Sequence, residues 1–175
     1  MLKFYLLLLC LFPLISCSQN KKSEASAETN DKLLPQQSFT SLKFEAEGKL
    51  CIALINNRYI GFQEKSKFSL SLFIMVNTIG KNNPDEKETE IFNTLQTEII
   101  SELSKVLGNY CYVGTTTMPG YRDILLYIKP EEREKAIEIL NKIKEQNSRI
   151  NTISFEEDTD WEAVASFYEA ISVKN

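Results

Sequence analysis

Apolar and polar residues alternate at Leu42, Phe44 and Ala46, and a second run of the same kind, KLCIALIN, begins at Lys49 after Glu47-Gly48. A period of two on either side of a glycine-bearing turn predicts an antiparallel hairpin. Polar residues around Asn56-Asn57 and in QEKSK, 63 to 67, interrupt the pattern before FSLSLFIMVN. That run places Phe68, Leu70, Leu72, Ile74 and Val76 on one face and Phe73 and Met75 on the other, as in a strand covered on both sides. The period then changes to that of a helix: Phe92, Leu95, Ile99, Leu103 and Val106 share a stripe. Asn83 is its expected N-cap, Pro84 its first residue, Glu86 the partner in a capping box and Gly108 its terminator.

Beyond it, YCYVGTTT reads as a strand, MPGY as a turn and RDILLYIK as a further strand. PEEREKAIEILNKIKEQ reads as a second helix opening at Pro130, INTISF from Ile150 as the last strand, and the segment from Trp161 as a closing helix. From Phe68 to Phe155 the order is β-α-β-β-α-β, two split βαβ units. The expected fold class is therefore α+β, a ferredoxin-like core with two helices on one face of an antiparallel sheet, extended by an N-terminal β-hairpin and a C-terminal helix. In that arrangement Phe68–Asn77 and Arg122–Lys129, the strands apolar on both faces, are central.

The chain ahead of these elements has a different character. Lys3 precedes an apolar stretch from Phe4 to Ile15, shorter than the roughly 20 residues of a spanning helix and in keeping with a secretory signal. It ends in Leu14-Ile15-Ser16-Cys17, the pattern of a bacterial lipobox: a small residue before the cleavage point and a thiol able to take the lipid. The expected organisation is a lipoprotein signal peptide over 1–16, a lipidated polar tether over 17–40 and one folded domain over 41–175. Fatty acyl groups such as palmitate on Cys17 would hold the protein on a membrane, at about 0.8 kcal/mol per buried CH₂. Ser18 in place of an aspartate leans toward an outer membrane of the cell envelope.

Composition narrows the chemistry. A formal charge of −4 without a basic cluster argues against nucleic acid as a partner and against electrostatic docking on anionic lipid. The absence of histidine from the whole chain removes the usual general base of hydrolases and the commonest ligand of catalytic metals. Cys51 and Cys111 read as two small buried thiols, with a disulfide between them as the alternative that an oxidising compartment permits. The acidic run Glu156-Glu157-Asp158-Thr159-Asp160 lacks the spacing of a calcium loop, and its first two residues point to opposite faces of a strand. It reads better as a helix start, with Thr159 and Glu162 as a capping box and Trp161, Val164, Phe167, Tyr168 and Ile171 as an apolar stripe. Tyr112, Tyr121 and Arg122, around the MPGY turn, form the candidate aromatic and cationic contact with a ligand or partner. No catalytic residue, metal or cofactor is expected. The functional expectation is a membrane-anchored, extracytoplasmic binding or protein-interaction module with a partner in the cell envelope; the alternative is an enzyme using carboxylate or tyrosine chemistry.

The hairpin turn at Gly48, the strand carrying Tyr112-Val113-Gly114, Gly120 and Arg122 leading to Tyr127, and the acidic run before Trp161 occur in the order seen in the family called domain of unknown function 695. The chain resembles that family from about Leu42 to Ile171, departing from it at Asp158-Thr159-Asp160, where an aspartate-proline pair is expected. The name implies no activity. Some relatives resemble a ferredoxin-like module of the ribonuclease E regulator type, which implies protein binding, although with cytoplasmic partners that a secreted lipoprotein would not meet.

Overall fold

The computed structural model describes residues 38–173 except residues 47 and 81, so the expected signal, the lipobox at Cys17 and most of the tether lie outside the described residues. The described chain is α+β, with six strands in one antiparallel sheet and three α-helices. The strands are β1 (Phe39–Ala46), β2 (Lys49–Asn56), β3 (Leu70–Asn77), β4 (Tyr110–Met118), β5 (Tyr121–Ile128) and β6 (Ile150–Glu157). The helices are α1 (Glu86–Val106), α2 (Arg133–Gln146) and α3 (Glu162–Ser172), and the strand order is β1-β2-β4-β5-β3-β6. None of the described helices is long and apolar enough to cross a membrane.

Alternation along the strands gives the sheet two faces, each with its own core. On one, Leu70, Leu72, Ile74 and Val76 of β3 and Ile124, Leu126 and Ile128 of β5 meet the stripe Phe92, Leu95, Ile99 and Leu103 of α1 and Ala136, Leu140 and Ile143 of α2. Full burial of each large side chain contributes about 1.5–3 kcal/mol, so this face accounts for much of the driving force. On the other, Leu42, Ala53, Ile55, Val113, Leu125 and Tyr127 pack against Trp161, Val164, Tyr168 and Ile171 from α3 and its entry turn. Phe68 belongs to this second cluster, because it sits in a 3-10 turn (Lys65–Phe68) rather than on the face of β3 where alternation placed it.

Several helix ends differ from expectation. Asp85, not Asn83, caps α1, its carboxylate accepting the Glu88 N–H at 2.8 Å, since Pro84 stays outside the helix. Asn83 instead donates to the Leu50 carbonyl at 3.3 Å and ties this loop to β2. Helix α1 leaves through extended Leu107, and Gly108 serves as a docking point: its N–H donates to Glu132 Oε1 at 2.6 Å, and a side chain there would crowd the same oxygen. Pro130 opens a 3-10 turn (Pro130–Glu132) that leads into α2.

At α3 the N-cap position falls on Trp161, and the side chain that accepts the first helix amides is Asp158 rather than Thr159. Its Oδ1 accepts the Glu162 N–H at 2.7 Å and its Oδ2 accepts the Ala163 N–H at 3.0 Å and the Tyr127 hydroxyl at 2.6 Å. Burial works to raise the Asp158 carboxyl, but the Tyr127 hydroxyl and these amides outweigh it and hold its pKa below the ordinary value. The turn puts Trp161 in the left-handed region at φ 62° and ψ 39°, a strained place for a bulky residue. Packing holds it there. The ring is fully buried, stacks on Tyr127 at 4.2 Å between centroids, and donates its indole N–H to the Phe68 carbonyl at 3.0 Å.

Candidate functional site

The α1–α2 core includes no residue of β1 or β2, so the side of these two strands that faces α1 is left open. Strand β2 is apolar on both faces. Cys51, Ala53 and Ile55 are buried, the last two against the α3 cluster, whereas Leu50, Ile52 and Leu54 on the other side are 51%, 37% and 43% exposed. Between this stripe and the flank of α1 runs a groove of about 430 Å³. Its sheet side is Ser41, Ile52, Leu54, Thr115, Thr117 and Arg122, and its helix side is Asn83, Pro84, Thr89, Asn93 and Gln96. Thr89, Asn93 and Gln96 are four and three residues apart and so lie in a row along one face of α1.

A bulge in β4 assembles the sheet side. Tyr112 pairs with Leu126 and Gly114 with Leu125, leaving Val113 as the extra residue. Val113 and Gly114 therefore both follow Leu125 toward α3, and Thr115 and Thr117, paired with Ile124 and Arg122, are returned to the face that carries Tyr112. Gly114 is required at this point: with φ at 145°, a Cβ there would stand 2.0 Å from the Leu54 carbonyl oxygen. Buried Asn56 completes the junction by donating its Nδ2–H to the Tyr112 carbonyl at 3.1 Å.

Arg122 is the charged member of the lining. Its Nε–H donates to Thr117 Oγ1 at 3.2 Å, one Nη1–H donates to Asn93 Oδ1 at 3.1 Å, and the guanidinium lies over the Phe92 ring at 4.8 Å. Among the described residues no carboxylate pairs with it in an ion bridge. Burial lowers its pKa, with the opposing pull coming from Tyr112, yet an arginine starts so high that it remains a cation. The Tyr112 hydroxyl accepts Gln96 Nε2–H at 2.9 Å, and burial, opposed by the Arg122 charge, pushes its pKa up to about 12. It is thus a neutral hydroxyl rather than an activated phenolate.

Of the three residues predicted as a contact surface, Tyr112 and Arg122 come together on the groove side, and Tyr121 does not. Tyr121 shares the face of Asp123, Leu125 and Tyr127 and lies on the other side of the sheet, because neighbouring strand residues point in opposite directions. Sequence reasoning missed Asn93, Gln96, Thr115, Thr117 and the Ile52–Leu54 wall. The signal was present in KLCIALIN, whose two apolar faces exceed what one covering helix can bury. Cys51 and Cys111 are both free, buried thiols. Ile52, beside Cys51, pairs with Thr117, six positions along β4 from Cys111, about 20 Å at ~3.3 Å per residue and too far for a bridge. Burial pushes the Cys111 thiol up to about 12. Among the described residues no cluster of carboxylates is placed to hold a metal, and Glu156 and Glu157 face opposite sides of β6.

No curated protein and no solved structure matches the chain. The model of a family of unknown function, DUF695, matches residues 37–168. With three quarters of its length matched, including every strand and the groove between β2, β4 and α1, the chain belongs to the DUF695 family.

Proposed function

We propose that this protein is a lipid-anchored bacterial lipoprotein of the cell envelope whose folded domain is a non-catalytic binding module, with the groove between β2, β4 and α1 as its binding surface. In this reading residues 1–16 are removed as a signal, Cys17 carries the acyl chains, residues up to 40 form a tether, and the rest folds as one domain. The domain is a ferredoxin-like unit, β6-β3-β5-β4 with α1 and α2 on one face, enlarged by the β1–β2 hairpin and α3. The order of these strands and their antiparallel pairing support that description.

The observation that carries the binding reading is Arg122, a half-buried cation without an anionic partner among the described residues, held in place by Thr117, Asn93 and Phe92 beside an exposed apolar wall. Among the described residues the groove lining contains amides, hydroxyls and this guanidinium, and neither a carboxylate nor a thiol to act as acid, base or nucleophile. Such a set recognises and holds; it does not exchange protons.

Two measurements test the proposal. Fatty-acid labelling should mark the wild type and not Cys17→Ala, which should also leave the membrane fraction; label persisting in Cys17→Ala overturns the anchor. A photo-crosslinking amino acid at Ile52 should yield an adduct in intact cells, and one at exposed Lys142 on α2 should not. Equal or absent adducts at both positions would remove the groove as the binding surface.

A further inference from the structure

The geometry points to a small monocarboxylate with an apolar tail as the ligand of this groove, its carboxylate on Arg122 and its tail across Thr117 onto Ile52 and Leu54. The inference rests on the groove being the binding surface and adds the chemical class of what enters it.

The guanidinium has five N–H groups, of which Thr117 and Asn93 take one each. Since Nε is engaged, the free donors are those on Nη1 and Nη2, which form the end-on fork that matches the two oxygens of a carboxylate. The bonds to Thr117 and Asn93, with Phe92 beneath, hold that fork in place before any ligand arrives, which reduces the ordering cost of binding. Around the cation, Thr115, Thr117, Asn93 and Gln96 offer neutral hydroxyl and amide groups. One fixed positive charge balances one negative charge, whereas a phosphate dianion would retain charge in a half-buried site. The chain's formal charge of −4 likewise disfavours a polyanion.

The tail follows from the wall. Ile52 and Leu54 project from the same side of β2 into the groove, and β2 lies two strands from β5, about 10 Å at ~4.8 Å per strand, comparable with a medium-chain acyl group. Ile52 pairs with Thr117 and Thr117 with Arg122, so the cation lies level with Ile52, and a tail leaving it crosses Thr117 and reaches Ile52 and its neighbour Leu54. A ligand with a charged head and an apolar tail satisfies both halves, and a volume of about 430 Å³ lies in the range of small-molecule sites.

The experiment titrates the folded domain with octanoate and, separately, with octanamide, following backbone and side-chain amide signals by NMR. Octanoate should shift the signals of Thr115 and Thr117 and the side-chain amides of Asn93 and Gln96. Its Kd should rise at least tenfold in Arg122→Gln. Ile52→Glu alters an exposed wall position and leaves the packed core alone, so it reads the site even where Arg122→Gln folds poorly; it too should weaken octanoate at least tenfold. Octanamide should bind at least tenfold more weakly than octanoate to the wild type. Equal binding of octanoate and octanamide overturns the carboxylate assignment and leaves the groove reading standing. Absence of octanoate shifts in a protein that crosslinks from Ile52 overturns the ligand class alone, and absence of both overturns the groove as well.

Discussion

Substituting alanine for Gly114 tests the junction on which the groove is built. The added Cβ would stand 2.0 Å from the Leu54 carbonyl oxygen, 3.0 Å from its carbon and 3.1 Å from Ile55 Cα, and all three atoms are backbone. Ordinary contact begins near 3.4 Å, so β2 and β4 must separate by more than 1 Å where Leu54 pairs with Thr115 and Ile55 with Gly114. Losing two ladder hydrogen bonds costs about 0.5–1.5 kcal/mol each, and holding alanine at this φ about 1–3 kcal/mol more. The reduced freedom of the unfolded chain returns about 0.4–1 kcal/mol. Gly114→Ala should therefore destabilise the domain by about 2–5 kcal/mol, a large share of the 5–15 kcal/mol typical of a domain. Urea denaturation followed by far-ultraviolet circular dichroism and by Trp161 fluorescence measures it. Gly120→Ala is the control, since Gly120 also has positive φ, at 104°, but open space where its Cβ would be. It should pay the backbone strain alone and lose clearly less. A Gly114→Ala midpoint within about 0.5 kcal/mol of the wild type, or equal to that of Gly120→Ala, would refute the steric account of the bulge.

Trp161→Ala removes a fully buried ring and should lower stability by about 3–5 kcal/mol, while Glu157→Ala, exposed at the end of β6, should change the urea midpoint by less than about 0.5 kcal/mol. Asp158→Asn weakens the cap of α3 and should cost about 0.5–2 kcal/mol at pH 7. Because the folded Asp158 pKa is depressed, its stabilisation is complete above the unfolded value near 3.9 and is lost as pH falls through the lower folded value. The gap between wild type and Asp158→Asn should hold from pH 7 to about 5 and close below about pH 4; a gap that stays constant to pH 2 would show that the charge plays no part. Cys51 and Cys111 should resist a thiol reagent in the native domain and both react in denaturant without a reducing agent; no reaction in denaturant would mean a bridge.

The sequence alone determined the local elements, because the periods of two and 3.6 state which side of each segment must leave water. The hairpin turning at Gly48, the doubly apolar β3, the α1 stripe from Phe92 to Leu103 and the burial of Trp161 could all be read in this way. Even so, the caps moved: Asn83 and Thr159 are good capping residues, but Asp85 and Asp158 supply the capping carboxylates because a proline outside α1 and a tyrosine hydroxyl from β5 select them. The groove belongs to the tertiary structure. Strict alternation would place Tyr112 on the face of Gly114 and Thr116, and a single extra residue at Val113 exchanges them for Thr115 and Thr117. The same logic separates Tyr121 from Arg122, neighbours in sequence on opposite faces of β5. What makes Arg122 a candidate anchor is the combination of Phe92 beneath it, Asn93 and Thr117 beside it and no carboxylate bridged to it among the described residues. Those neighbours come from two other elements, α1 and β4, and a local pattern of polar and apolar residues carries no information about which distant strands and helices will meet.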